Sequence, residues 1–106
     1  MSTVDTFHIR VAGTSYRQAE VRQVQPGEPL QLVPDPGNPH DRHAIKVVRE
    51  ATGGEVGFVP RDRNQALLEA LRGGCTVRAT CDGSGRPEGS DSYGLAVRLD
   101  VTYPDS

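Results

Sequence analysis

Pro34-Asp35-Pro36-Gly37-Asn38-Pro39-His40-Asp41-Arg42-His43-Ala44-Ile45-Lys46-Val47 joins two apolar segments and holds three prolines, two carboxylates, one asparagine and two histidines. Pro36 and Pro39 each fix φ at about −65° and push the preceding residue toward extended geometry, so the connection is stiff. Asn and Asp side chains in such a turn bond to nearby backbone. On one side Leu30 and Leu32 mark a short strand. On the other, Ala44 to Arg49 reads as a strand with Ile45 and Val47 on one face and Lys46 on the opposite face. A rigid loop between two strands is a good carrier for a binding site, and Asn38, His40 and Asp41 are the side chains it would present.

Working outward, the rest of the chain is also strand-like. Phe7, Ile9 and Val11 alternate with His8 and Arg10 in a first strand that ends at Gly13. The turn Gln25-Pro26-Gly27-Glu28 leads into the Leu30 strand. Thr52-Gly53-Gly54 closes a hairpin into Glu55-Val56-Gly57-Phe58-Val59, which Pro60 terminates. Asp62 followed by Gln65 matches a capping box, and Ala66, Leu67, Ala70 and Leu71 give an apolar stripe that Gly73-Gly74 stops. The spacing predicts a helix of about three turns that plugs one end of a barrel.

Cys75, Val77, Ala79 and Cys81 then point inward, with Thr76, Arg78 and Thr80 outward. Asp82 to Ser92 reads as a long, mobile polar loop. The last strand carries Tyr93, Leu95, Val97, Leu99, Val101 and Tyr103 on one face, and residues after Pro104 are expected to fray. The expected fold is all-β with one short helix: a small OB-like or SH3-like six-stranded β-barrel. Residues 1–106 are expected to form a single domain with a core from about 7 to 103.

Composition narrows the function. Only 35% of the 106 residues are hydrophobic, and twelve glycines and eight prolines favour turns over long helices. No apolar stretch approaches the ~20 residues that cross a bilayer. The N-terminus lacks a basic region followed by an apolar core, so a cytoplasmic protein without membrane association is expected. Cys75 and Cys81 lie ~20 Å apart along one strand, beyond disulfide reach, and read as buried thiols of a reducing compartment.

The net charge of −2 and pI of about 5.9 argue against a generic nucleic-acid coat. They allow a small site that reads one nucleic-acid end. The basic residues are eleven arginines and one lysine. Arginine contacts phosphate bidentately, and the same bias also follows from a GC-rich coding sequence. No nucleophile with a positioned base and no phosphate-cradling Gly-rich loop is visible, so the chain reads as a binding module that needs no cofactor, not an enzyme.

Tyr16, in Ala12-Gly13-Thr14-Ser15-Tyr16-Arg17, follows small and polar residues and does not read as a core position. Phe58 and Tyr93 also stand near strand ends. An aromatic ring at such a place stacks on a base for about 1–3 kcal/mol. An ionised carboxylate such as Asp41 repels phosphate, yet it suits a terminal hydroxyl, which is an uncharged donor.

Together Val11-Ala12-Gly13-Thr14-Ser15-Tyr16, Leu32 to Asp41, Ala44-Ile45-Lys46-Val47 and Glu55-Val56-Gly57-Phe58-Val59-Pro60 resemble the HIRAN domain over roughly residues 7–101. That family occurs in eukaryotic fork-remodelling translocases and as stand-alone bacterial proteins. The resemblance implies an OB-like barrel that binds single-stranded DNA at its free 3′ end, in DNA repair or replication-fork processing. It implies that Tyr16 stacks on a terminal base, with Ser15 and Arg17 beside it. It implies too that Asp41 accepts the 3′-hydroxyl hydrogen bond, Asn38 holds the loop or touches the nucleotide, and Phe58 and Tyr93 line the groove. His40 stands where the family usually has a tyrosine, Ser15 where it can have an arginine, and Phe58 where it can have a histidine. Arg17 and Arg42 are the candidates to replace the missing charge. A helicase or nuclease acting in trans would be the protein partner.

Two other readings stand beside this one. Net acidity and a small barrel also suit a protein–protein interaction module acting as an adaptor. His40, Asp41 and His43 crowd one turn as potential metal ligands, but no further His/Cys cluster completes a tetrahedral site, so no metal is expected.

Overall fold

In the computed structural model, which describes residues 4–85 and 91–104, all six strands join one antiparallel sheet. The strands are β1 (Val4–Arg10), β2 (Pro29–Pro34), β3 (Ile45–Arg49), β4 (Glu55–Phe58), β5 (Thr76–Gly85) and β6 (Gly94–Thr102). A 3-10 turn (Thr14–Tyr16) and the short helix α1 (Gln18–Val21) follow β1, and α2 (Arg61–Arg72) follows β4. The sheet order is β1-β6-β5-β2-β3-β4. The fold is therefore mostly β with two helices.

The alternation expected of the last strand is borne out. Leu95, Val97, Leu99 and Val101 are buried, while Arg98 is exposed. They pack with Ala79, Cys81, Ile45, Val47 and Val56 into one core. Truncating one such leucine to alanine removes about 2–5 kcal/mol, because the lost transfer energy and the residual cavity add. Ile9 and Val11 join this core, but Phe7 is left 41% exposed at the rim of the sheet. Both cysteines are free, and burial pushes the Cys81 thiol above its ordinary range.

The sheet does not close into the expected barrel. β2 and β5 pair only at Pro29–Thr80 and Leu30–Ala79. The two ends of the sheet meet at one bridge, where Ala12 N donates to Phe58 O at 2.8 Å and Phe58 N to Ala12 O at 2.9 Å. The chain turns away at Gly13 (φ 75°) on one side and ends β4 before Pro60 on the other, so only one residue pair overlaps.

Other expectations are corrected in detail. α2 begins at Arg61 with Pro60 at its N-cap, and no Asp62 cap forms. Asp62 instead lies in the first turn, where a carboxylate favours the helix dipole. The buried stripe of α2 is Asn64, Leu67 and Leu68, while Ala66 is exposed. The expected polar loop is shorter, because β5 continues through a register shift between Cys81 and Gly83 as far as Gly85. Its part from 86 to 90, and the expected fraying at 105–106, lie outside the described residues.

Candidate functional site

The connection between β2 and β3 is braced by its own side chains. Asp35 N donates to Ala44 O at 2.8 Å, Asn38 N to Asp35 O at 3.1 Å, and Ala44 N to Asp41 O at 3.1 Å. The Asn38 side chain spans the turn: its Oδ1 accepts from His40 N (2.9 Å) and Asp41 N (3.2 Å), and its Nδ2 donates to Asp35 Oδ2 (3.2 Å). Asn38 is thus committed to holding the loop.

Asp41 is held from both sides. Its Oδ1 accepts from His43 N at 2.9 Å, and its Oδ2 accepts from Asn64 Nδ2 of α2 at 2.8 Å. The His43 backbone N–H, then the Asn64 amide, hold its carboxyl below the usual range, with Arg61 Nε and His43 Nδ1 each 3.8 Å away adding to this. The Asp41 side chain keeps 19% of its surface exposed, so a fixed, ionised carboxylate faces solvent along one edge.

The opposite wall comes from the chain after β1. Gly13 supplies the left-handed turn from which Tyr16 N bonds back to Gly13 O at 3.1 Å. Tyr16 is left 85% exposed. Gly57 lets β4 approach this segment: at φ 150°, any Cβ there would overlap Ala12 O and the Val11 side chain. Arg17 Nη2 donates to Glu55 Oε2 at 3.1 Å, and Glu55 Oε1 also takes Lys46 Nζ at 3.0 Å. Glu55 holds the Lys46 ammonium above its usual range. The charge of Arg17 is therefore shared with a carboxylate.

Tyr16, Arg17, Asn38, His40, Asp41 and Phe58 line one groove of about 630 Å³. Two of the expected residues are elsewhere. Ser15 is exposed on the 3-10 turn but does not line the groove. Tyr93 is half-buried, with the Arg22 guanidinium 5.0 Å from its ring centroid. Its backbone is strapped to α1, where Tyr93 N donates to Gln18 Oε1 (2.7 Å) and Gln18 Nε2 donates to Tyr93 O (3.0 Å).

The HIRAN domain family matches residues 4–102. This chain belongs to the HIRAN domain family. Among solved structures, the HIRAN domain of human HLTF superposes with a TM-score of 0.75 at 21% identity, over 98% of this chain and 81% of that one. A protein from Lactobacillus plantarum superposes with a TM-score of 0.77 at 18% identity, over 98% of this chain and 100% of that one. No curated protein matches.

Two groove residues of this HIRAN domain went unnoticed in the sequence. Asn64 is 3% exposed and stands on the apolar stripe of α2, three and four residues before Leu67 and Leu68. An amide on a core stripe must find a buried partner, and that was the available signal. Arg61, at the first turn of α2, donates from Nη2 to His40 O at 3.3 Å and is otherwise exposed on the groove. No local pattern marks it, since its place depends on how α2 docks against the loop.

Proposed function

We propose that this HIRAN domain binds the free 3′ end of single-stranded DNA in the groove between Tyr16 and the proline-braced loop. The observation that carries the reading is the pairing of an 85% exposed tyrosine with a fixed, ionised Asp41 across one groove. A ring so exposed contributes little to the core and is available to stack on a terminal base. Asp41 has one acceptor direction on each oxygen occupied, and a carboxylate has further lone pairs to take a terminal hydroxyl. Arg61, its side chain 75% exposed and 3.8 Å from Asp41, supplies positive charge for the last phosphate, while Arg17 is more tightly engaged, donating to Glu55 at 3.1 Å. Phe58 and His40 complete the walls.

The domain acts as an end-recognition module, not an enzyme, and uses no cofactor. It works in the cytoplasm in DNA repair or fork processing, and a helicase or nuclease in trans does the work on the strand. The test compares oligonucleotides ending in a 3′-hydroxyl and a 3′-phosphate. The hydroxyl end is expected to bind more tightly, with the preference lost in Asp41→Ala. Equal binding of both ends and of duplex would refute end recognition.

A further inference from the structure

On the other side of the proline-braced loop lies a second concavity of about 260 Å³. Its floor is apolar, formed by Pro34, Pro36 and Ala44 from the loop and Leu68 and Leu71 from α2, and Arg42 and Arg72 line it. Ala44 lines both this pocket and the groove, so the two are neighbours across one loop. Among the described residues, neither Arg42 nor Arg72 has an ion pair or hydrogen-bond partner. Arg17, Arg49, Arg61 and Arg98 each have a carboxylate beside them, and of the described arginines without one, Arg42 and Arg72 are two that share a pocket. The carboxylate within the pocket, Asp35, already accepts from the Asn38 amide. Arg72 ends α2, where a cation is favoured by the helix dipole, but that preference needs no pocket and does not account for Arg42.

Resting on the end-binding reading above, we infer that Arg42 and Arg72 form a phosphate subsite for the nucleotides just upstream of the terminal one. The strand end is held in the groove. Its backbone then crosses the loop, and the two free guanidiniums take consecutive phosphates while an upstream base rests on the proline and leucine floor. Guanidinium presents a planar fork that fits a phosphate's oxygens, and the carboxylate lining the pocket, Asp35, is paired with neither arginine. The net charge of the protein is negative, so this local positive patch sets where a strand can leave the groove.

The test uses a thymidine dinucleotide, whose single phosphate is the one assigned to Arg61, and a decanucleotide, each with a 3′-hydroxyl, titrated into the wild-type domain and Arg42→Ala/Arg72→Ala across a salt series. The wild type is expected to bind the decanucleotide more tightly than the dinucleotide. In the double variant the decanucleotide weakens by about tenfold and its log–log salt slope falls by about 1.4, the value for two phosphates on a single strand. Dinucleotide binding is unchanged, and Arg42→Lys/Arg72→Lys restores the slope. An unchanged slope, or equal loss for both lengths, overturns the subsite while leaving the groove reading intact. If neither oligonucleotide binds the wild type, the groove reading itself fails and takes the subsite with it.

Discussion

At the far end of β3, Arg49 lies between Glu28 and Glu20; just before β3 begins, Asp41 lies between His43, Asn64 and Arg61. Both clusters tie a charged side chain to distant segments. They differ in what is left over. Arg49 donates from Nε to Glu28 Oε2 (2.7 Å), from Nη2 to Glu28 Oε1 (3.0 Å) and from Nη1 to Glu20 Oε2 (3.2 Å), with 8% of the residue exposed. Glu28 and Glu20 raise the Arg49 pKa, and Arg49 in turn holds Glu28 below the usual carboxylate range. That cluster pairs its cation with two carboxylates and lines none of the concavities described above, although Glu20 keeps 35% of its side chain exposed. The Asp41 cluster is anchored equally well, yet opens onto a groove with an exposed ring across it. An ion pair whose charges are committed to each other away from any groove is scaffold, and a fixed charge that opens onto a groove is a candidate ligand contact.

The sharpest way to break this comparison is Arg49→Ala. It leaves Glu28 and Glu20 facing each other without their cation, and removing one partner of a buried pair is strongly destabilising. Thermal unfolding should show Tm lower by about 15 °C for a domain of this size, with oligonucleotide affinity at low temperature unchanged. An altered affinity would mean that the two clusters are not separate in function. Asp41→Ala should act chiefly on binding, with a smaller fall in Tm because the buried Asn64 amide loses its acceptor. Affinity for a 3′-hydroxyl oligonucleotide should fall about 10- to 100-fold, the size of a hydrogen bond to a charged group, while 3′-phosphate binding changes little.

Tyr16→Ala is expected to weaken every single-stranded ligand by about tenfold, the loss of one stacked base, with Tm unmoved because the ring is exposed. Acid then compares the clusters directly. Asp41 and Glu28 both have folded pKa values below their unfolded ones, so each contributes stability above the unfolded value and loses it as the pH falls through the folded one. Side-chain carboxyl resonances followed by NMR should titrate below the ordinary carboxylate range at both sites. The smallest effect belongs to Tyr93→Leu, which should leave oligonucleotide affinity unchanged, since the ring packs under Arg22 and not in the groove.

The sequence made the strands legible wherever one face is buried and the other wet. β3 and β6 follow from alternation alone, and the loop between β2 and β3 follows from its prolines and Asn38. Closure was not legible, because it turns on how far two distant strand ends overlap. α1 was hidden because four residues cannot show a helical period, and what holds it is a long-range strap from Gln18 to the Tyr93 backbone. The same strap explains the misplaced Tyr93: proximity to a strand end says nothing about which side of the sheet the ring takes. For the groove, Tyr16 and Asp41 were readable from their neighbours. Arg61 was not, because its placement depends on the docking of α2.

The Ala12–Phe58 bridge has a dynamic meaning. Two hydrogen bonds join the ends of the sheet there, against the nine paired positions that hold β5 to β6. A seam so short is drawn from the low-stability end of the molecule, where amide protons exchange through local opening. Tyr16 hangs from one side of the seam and Phe58 from the other. A strand end in the groove that touches both Tyr16 and Phe58 would bridge that seam, so occupancy should be recorded as slowed hydrogen exchange at the Ala12 and Phe58 amides.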